Sequence, residues 1–204
     1  MSRHLFLVTL AIIVKHTLFA QSKMLLENYY YKKEDYSTIM PVFHFQTNNN
    51  WYAELRYNYE EVRTTSFYAG KTITGGDALG YSITPLIGYA VGQFRGLSFA
   101  VNAEAEWKSL FMSSQSQYSV SNRTCAESFF FTWSEAGYSL SDYFFTGLAL
   151  QYTRLSNESY LEPGFFAGLD FKNFSFPCYV FDPFQQPYFV IGLNYEINFK
   201  KKKD

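Results

Sequence analysis

The chain has 204 residues, with 17 lysines and arginines against 18 acidic residues and a formal net charge of −1. It therefore carries no overall basic field of the kind that binds nucleic acid. Aromatics make up 21% of it, led by 22 Phe and 18 Tyr, a richness that suits strands and membrane interfaces rather than helices.

Residues 1–20 read as a secretory signal. Arg3 and His4 form a short polar start, Leu5–Val14 is an apolar run, Lys15 ends it, and Leu18-Phe19-Ala20 offers a small residue at the cut before Gln21. The run is too short to span a bilayer as a helix. No later segment approaches 18 consecutive apolar residues, so no transmembrane helix is expected after the signal. Residues 21–199 are expected to form one domain, and 200–204 a short basic periplasmic tail.

Four segments alternate large apolar and smaller or polar residues, the period of a β-strand. From Trp51 one face holds Trp51, Ala53, Leu55, Tyr57 and Tyr59, and the other holds Tyr52, Glu54, Arg56, Asn58 and Glu60. Leu79–Val91 and Leu97–Lys108 repeat the pattern, the second setting Asn102, Glu104, Glu106 and Lys108 on its polar face. Tyr188–Phe199 has Phe189, Ile191, Leu193, Tyr195, Ile197 and Phe199 on one side, against a set ending in Asn194, Glu196 and Asn198. Strands of this length exceed the soluble average of about six residues and match a bilayer crossing of about ten.

Weaker signals mark Met40–Thr47, Thr64–Thr74, Ser113–Ser121, Ser128–Tyr138, Tyr143–Arg154, Gly164–Lys172 and Phe174–Phe181. In Thr64–Thr74 the parity is ambiguous, and the face with Arg63, Phe67, Ala69 and Lys71 is expected to turn inward. Glu135 turns Phe131 and Trp133 inward. Short, turn-like links at Asn48–Asn50, Gly75–Asp77, Ser139–Asp142 and Lys172-Asn173 alternate with longer ones at Ser121–Glu127, Ser156–Pro163 and Asp182–Pro187. Bacterial barrels place short turns in the periplasm and have even strand numbers. Counting back from Phe199 gives eleven strands from Met40. Parity asks for one more, and Leu25–Lys33 supplies it. The expected architecture is all-β, an antiparallel transmembrane barrel of about twelve strands, with ten as the alternative. An exported soluble sandwich or lipocalin-like binding barrel would show the same alternation.

The signal ending Phe19-Ala20-Gln21, the repeated amphipathic strands and the closing strand at Phe199 resemble the outer-membrane β-barrel proteins of Gram-negative bacteria. With its high Tyr/Phe/Asn content the chain looks like a Bacteroidota-type member. The resemblance covers about Leu25 to Phe199. It implies a location in the cell outer membrane, contact with outer-membrane lipid, and handling by the barrel-assembly machinery, which recognises a terminal aromatic. Here Lys200–Asp204 follows Phe199, so that signal would be internal. Any further envelope partner is unspecified.

The polar faces offer Glu54, Arg56, Asn58, Glu60, Asn102, Glu104, Glu106, Lys108, Asp170, Asn194, Glu196 and Asn198 to a lumen. Lys172 joins them by parity. Buried charge needs water or a partner. The set therefore reads as a hydrated pore for small solutes, mildly cation-favouring, or as a salt-bridged lumen that closes the barrel and leaves it a structural or assembly component of the envelope. Both are non-enzymatic. His44, flanked by Phe43 and Phe45, is the one histidine after the signal. Some outer-membrane barrels that act on lipids resemble a Ser-His arrangement with the two residues two apart on a strand. Here the residue two beyond His44 is Gln46, so a lipid-modifying hydrolase would need a serine from a neighbouring strand. A hydrogen-bonded lumen histidine is the favoured reading. Glu104 and Glu106 share a strand face and read as a solvated pair rather than as an acid/base or calcium site. Cys125 and Cys178 lack C-x-x-C spacing, so no metal or redox pair is supported. Whether they pair as a disulfide stays open. No glycine-rich phosphate loop is present, and no cofactor is expected.

Overall fold

The computed structural model describes residues 22–34, 36–123 and 127–199. The expected signal, the basic tail and Cys125 lie outside the described residues. Thirteen strand segments follow one another: β1 (Lys23–Lys32), β2 (Ser37–Gln46), β3 (Trp51–Tyr57), β4 (Thr65–Lys71), β5 (Ile73–Gly75), β6 (Gly80–Val91), β7 (Gly96–Trp107), β8 (Leu110–Ser121), β9 (Phe129–Ser139), β10 (Phe144–Arg154), β11 (Ser159–Phe171), β12 (Phe174–Phe181) and β13 (Tyr188–Asn198).

Apart from β4 and β5, strands adjacent in sequence pair antiparallel, and β1 pairs with β13 from Lys23↔Asn198 to Lys32↔Phe189. The sheet closes on itself, which removes its edges. β4 and β5 both pair with β6 and are two parts of one staff of the barrel, interrupted at the buried Thr72. The barrel therefore has twelve strands, and β1 is the strand that the parity argument required.

Both described chain ends lie at the end of the barrel that carries the tight links 47–50, 76–79, 108–109, 140–143 and 172–173. Longer links, 58–64, 122–128 and 182–187, sit at the opposite end. We refer to these as the short-turn end and the long-loop end.

The outer surface is apolar in a band. Leu55, Ile87, Phe99, Leu148, Phe165 and Ile191 all point outward and are exposed. Tyrosines 30, 57, 89, 118 and 160 ring the band at the long-loop end, and Trp51, Tyr81, Trp107, Tyr138 and Phe171 ring it at the short-turn end. An aliphatic band between two aromatic girdles is the surface that a bilayer solvates and water does not. A soluble barrel would bury such side chains, so this surface weighs against the lipocalin-like alternative. Lys71, Lys108 and Lys172 hold their ammonium groups over the outward rings of Trp51 (5.7 Å), Trp107 (4.9 Å) and Phe171 (5.1 Å). Cys178 is also exposed on the outer face.

Within the band, Ser114, Ser116, Thr132 and Ser134 interrupt the apolar surface. Their hydroxyls bond to one another, at 2.9 Å for Ser114–Ser134 and 2.8 Å for Ser116–Thr132. A hydroxyl facing lipid is tolerable when its donor is already used.

One strand departs from expectation. In β4 the inward residues are Ser66, Tyr68 and Gly70, whereas Phe67 and Lys71 face outward and Phe67 is 55% exposed. Arg63 is exposed in the 58–64 link. The expectation took the charged residues as markers of the lumen. The lysine instead lies at the aromatic girdle, where a long cationic side chain can reach headgroup water.

Inward glycines make room for rings on the adjacent strand. Gly88 is the register partner of Tyr68, Gly137 of Phe111 and Gly168 of Phe145. A methyl group at Gly88 would lie 2.3 Å from the Tyr68 ring, near its base rather than its tip. Tyr68 is fully buried and held by Glu60, so it cannot swing away. Gly88→Ala is expected to cost about 1–3 kcal/mol of unfolding free energy by overpacking. A urea titration that places the variant within error of the parent would refute this fit.

Candidate functional site

The interior divides into a charged side and an aromatic side. β3 directs Tyr52, Glu54 and Arg56 inward from alternate positions, as strand geometry requires. Arg56 is 1% exposed. Its Nε donates to Glu54, and its Nη1 donates to Gln117 Oε1 at 2.6 Å. The guanidinium lies between the rings of Tyr59 and Tyr68, 4.3 Å from each centroid. Such stacking and forked bonding suit Arg rather than Lys.

Glu54 also accepts from Tyr52 Oη at 2.9 Å and Asn102 Nδ2 at 3.2 Å. Its Oε2 lies 3.3 Å from His44 Nδ1, which bonds to Tyr52 as well. His44 Nε2 lies 3.1 Å from Glu27 Oε2. Each ring nitrogen thus faces a carboxylate oxygen, an arrangement that only the doubly protonated ring satisfies fully. The chain Glu27, His44, Glu54, Arg56, Glu60 alternates in charge across the barrel. Burying these groups is tolerable because each has an opposite neighbour and hydrogen bonds.

Glu60 reaches this network from the 58–64 link and not from a strand. β3 ends at Tyr57. Asn58 (φ 59) and Arg63 (φ 55) adopt left-handed backbone, and the segment between them folds into the barrel mouth. Glu60 accepts from Ser66 Oγ at 2.7 Å and Tyr68 Oη at 2.9 Å. Tyr59 donates to Gln115 Oε1 at 2.9 Å and meets Phe131 edge-on at 5.8 Å. Burial pushes the Tyr59 phenol above its ordinary pKa, so the ring stays uncharged.

The aromatic side is built by β1 and β9–β13. Trp133 packs edge-on against Tyr179 at 5.1 Å and Phe181 at 5.5 Å, and Tyr31 stacks near Tyr188. The Gln151 amide donates to Tyr31 Oη at 3.0 Å and accepts from Tyr188 Oη at 3.2 Å.

These two halves meet at mid-height and leave a chamber at each end. The chamber at the long-loop end has a volume of about 600 Å³, and the one at the short-turn end about 420 Å³. Tyr59 lines both. A third cavity of about 300 Å³ extends from the short-turn side to His44 and Asn102.

Most of the residues expected on polar faces do face the interior. Glu54, Arg56, Glu60 and Asn102 join the buried network. Glu104, Glu106, Asp170 and Asn194 line the chamber at the short-turn end. Glu196 and Asn198 stand at the mouth, where Glu196 pairs with Lys23 at 2.8 Å and accepts from Asn198 Nδ2 at 2.7 Å. Three expectations fail in part or in whole. Asn58 lines no lumen; it staples its link, accepting from Arg63 N at 2.7 Å and donating to Ile39 O at 3.0 Å. Lys108 is a turn residue (φ 56) that reaches the chamber rim, while its ammonium lies over the outward ring of Trp107. Lys172 behaves alike.

Phe131 and Trp133 point inward as expected from Glu135, and Trp133 centres the aromatic half. Sequence reasoning did not find the inward loop, the rest of that aromatic half or the role of Glu27. Among the described residues, no cluster of three His, Cys, Asp or Glu side chains could hold a metal.

No family model matches the chain, and no curated protein is similar to it in sequence. Solved structures do resemble it. A KdgM porin in complex with disordered oligogalacturonate and a KdgM porin each superpose with a TM-score of 0.65 at 12% identity, covering 84% of this chain and 98% of that one. A NanC porin superposes with a TM-score of 0.58 at 10% identity, covering 87% of this chain and 100% of that one. At such identities the likeness is one of fold: the chain is built as a closed, antiparallel, twelve-strand porin-like barrel.

Proposed function

We propose that the chain resides in the outer membrane of a Gram-negative cell and forms a channel for small solutes, with no catalytic step of its own. The observation that carries this reading is the pair of chambers opening at opposite ends and meeting at Tyr59, inside a barrel with a lipid-type outer band. The likeness in fold to KdgM and NanC porins supports it. The signal-like start and the Tyr/Phe/Asn content support a Bacteroidota-type barrel, inserted by the assembly machinery and surrounded by outer-membrane lipid.

Pore lining is assigned to Glu54, Arg56, Glu60, Asn102, Glu104, Glu106, Asp170, Asn194, Glu196 and Asn198. Carboxylates exceed cations along this path, so the channel prefers cations to anions. An acidic saccharide such as the oligogalacturonate held by a KdgM porin would meet repulsion here.

A closed structural barrel is the second reading, supported by the fully buried belt around Arg56 and Tyr68. The hydrolase reading has weaker support, because both ring nitrogens of His44 are engaged by Glu27, Tyr52 and Glu54 rather than by a serine. Purified barrel in planar bilayers is expected to give discrete current steps with reversal potentials on the cation-selective side. A preparation that folds and inserts yet gives no steps overturns the channel and leaves the structural barrel.

A further inference from the structure

The chamber at the short-turn end has a composition of its own. Its wall carries Glu27, Glu104, Glu106, Glu135 and Asp170. Lys108 reaches its rim, but the ammonium is turned to the outward ring of Trp107. Glu135 has no ion-pair partner among the described residues, in contrast to Glu27, which faces His44. Glu27 and Glu135 flank an aromatic wall in the same chamber, with Tyr29 and Trp133 at 5.5 Å and Trp133 and Tyr179 at 5.1 Å between centroids.

Two polar atoms in this wall lack a well-formed hydrogen bond, although Trp133 lies beside the Glu135 carboxylate and Asn194 beside the Tyr29 phenol. Trp133 is 7% exposed and its indole Nε1 has no hydrogen-bond partner. Asn194 Oδ1 is likewise buried without one. An unpaired donor and an unpaired acceptor, each lining a chamber of about 420 Å³, are costly unless something occupies it. That volume falls within the usual range for small-molecule sites.

We propose that this chamber is a binding site for a small protonated amine that also carries a hydroxyl, the chemistry of an amino alcohol or amino sugar. The proposal rests on the channel reading, since the solute must enter from one mouth. The ammonium sits between the carboxylates and the faces of Tyr29 and Tyr179, where cation–π and charge-assisted bonds act together. The Asn194 carbonyl oxygen accepts one of its N–H groups. The ligand hydroxyl accepts from Trp133 Nε1, which a bare metal cation or a simple alkylammonium cannot do.

Trp133 is also the reporter. Trp51 and Trp107 face outward and are exposed, so Trp51→Phe and Trp107→Phe together leave a full-length barrel whose indole emission comes from the chamber. The probes are glucosamine, glucose and glucuronate, near-isosteric rings of positive, zero and negative charge. Glucosamine is expected to change the emission saturably. Glucose should bind at least about tenfold more weakly and glucuronate not at all. Glu135→Gln in the same background should weaken glucosamine at least about tenfold while its heat-modifiable gel migration is unchanged. Should that variant not fold, Glu104→Gln carries the same expectation at a more exposed position. Glucuronate binding as tightly as glucosamine, silence towards all three probes, or indifference of the folded variants overturns the proposal. Current steps from a barrel that ignores glucosamine would sink the chamber and spare the channel. Saturable binding without current steps would do the reverse.

Discussion

Arg56→Ala should lower the unfolding free energy by about 3–5 kcal/mol, because it leaves Glu54 and Glu60 buried with no cation between them. The magnitude follows from burial: Arg56 is 1% exposed, and its guanidinium bonds to Glu54 and Gln117 and stacks on two tyrosines. The penalty lies in the stranded carboxylates, so it should shrink when they are neutralised. Glu54→Gln added to Arg56→Ala is expected to recover part of the loss, a coupling that a double-mutant cycle reads directly. Urea titrations in a fixed detergent, extrapolated linearly, provide the comparison. A loss below about 1 kcal/mol for Arg56→Ala would mean that water solvates the network and that the belt is open.

Tyr59→Ala is the counterpart in function. The ring is shared by the two end chambers, and its hydroxyl donates to Gln115 on the opposite wall. Removing it joins the chambers, so single-channel conductance should rise severalfold. Tyr59→Phe, which keeps the ring and loses one hydrogen bond, should change conductance far less. Because the phenol stays uncharged, raising the pH moderately should not mimic the alanine variant. An alanine variant with parental conductance would place the constriction elsewhere in the belt.

Much of the barrel is legible in the alternation of single strands. Phe189, Ile191 and Leu193 against Asn194 and Glu196 announce which face is apolar, and that limits the register of β13 to even shifts without choosing among them. Even the strand at Lys23–Lys32, whose Tyr29-Tyr30-Tyr31 run has no polarity contrast, is recoverable from the even strand count. Legibility fails where both faces share a character. Phe129-Phe130-Phe131 is apolar on both sides, so alternation alone is silent there; Glu135 still turns Phe131 and Trp133 inward, but nothing extends that reading to Tyr31, Phe166, Tyr179 and Phe181. In β4 a tyrosine points inward and a lysine outward, which inverts the parity drawn from charge.

The Trp51–Glu60 pattern also continues past the true end of β3, because Asn58 and Glu60 keep the beat while the backbone has already turned. The available signal was Asn58 itself, one of the few residue types that tolerate a left-handed conformation. No periodicity can report that Glu60 then returns to Ser66 and Tyr68. That contact depends on the loop's path rather than on its sequence. Nor does spacing alone reveal that the glycines at 88, 137 and 168 are seats for rings on the neighbouring strand, directly opposite in register.

The pairing of Lys23 with Asn198 bears on how the molecule comes into being. A sheet whose first and last strands are partners has two open edges until the final strand has left the ribosome, and each edge offers unpaired backbone groups to any other strand. Contacts between the two ends of a chain form late and slowly, since the whole intervening loop must close first. Until they join, the apolar outer face is uncovered and the seam open, the condition in which chains aggregate. Closure of β1 on β13 joins that seam and leaves the sheet with no free edge.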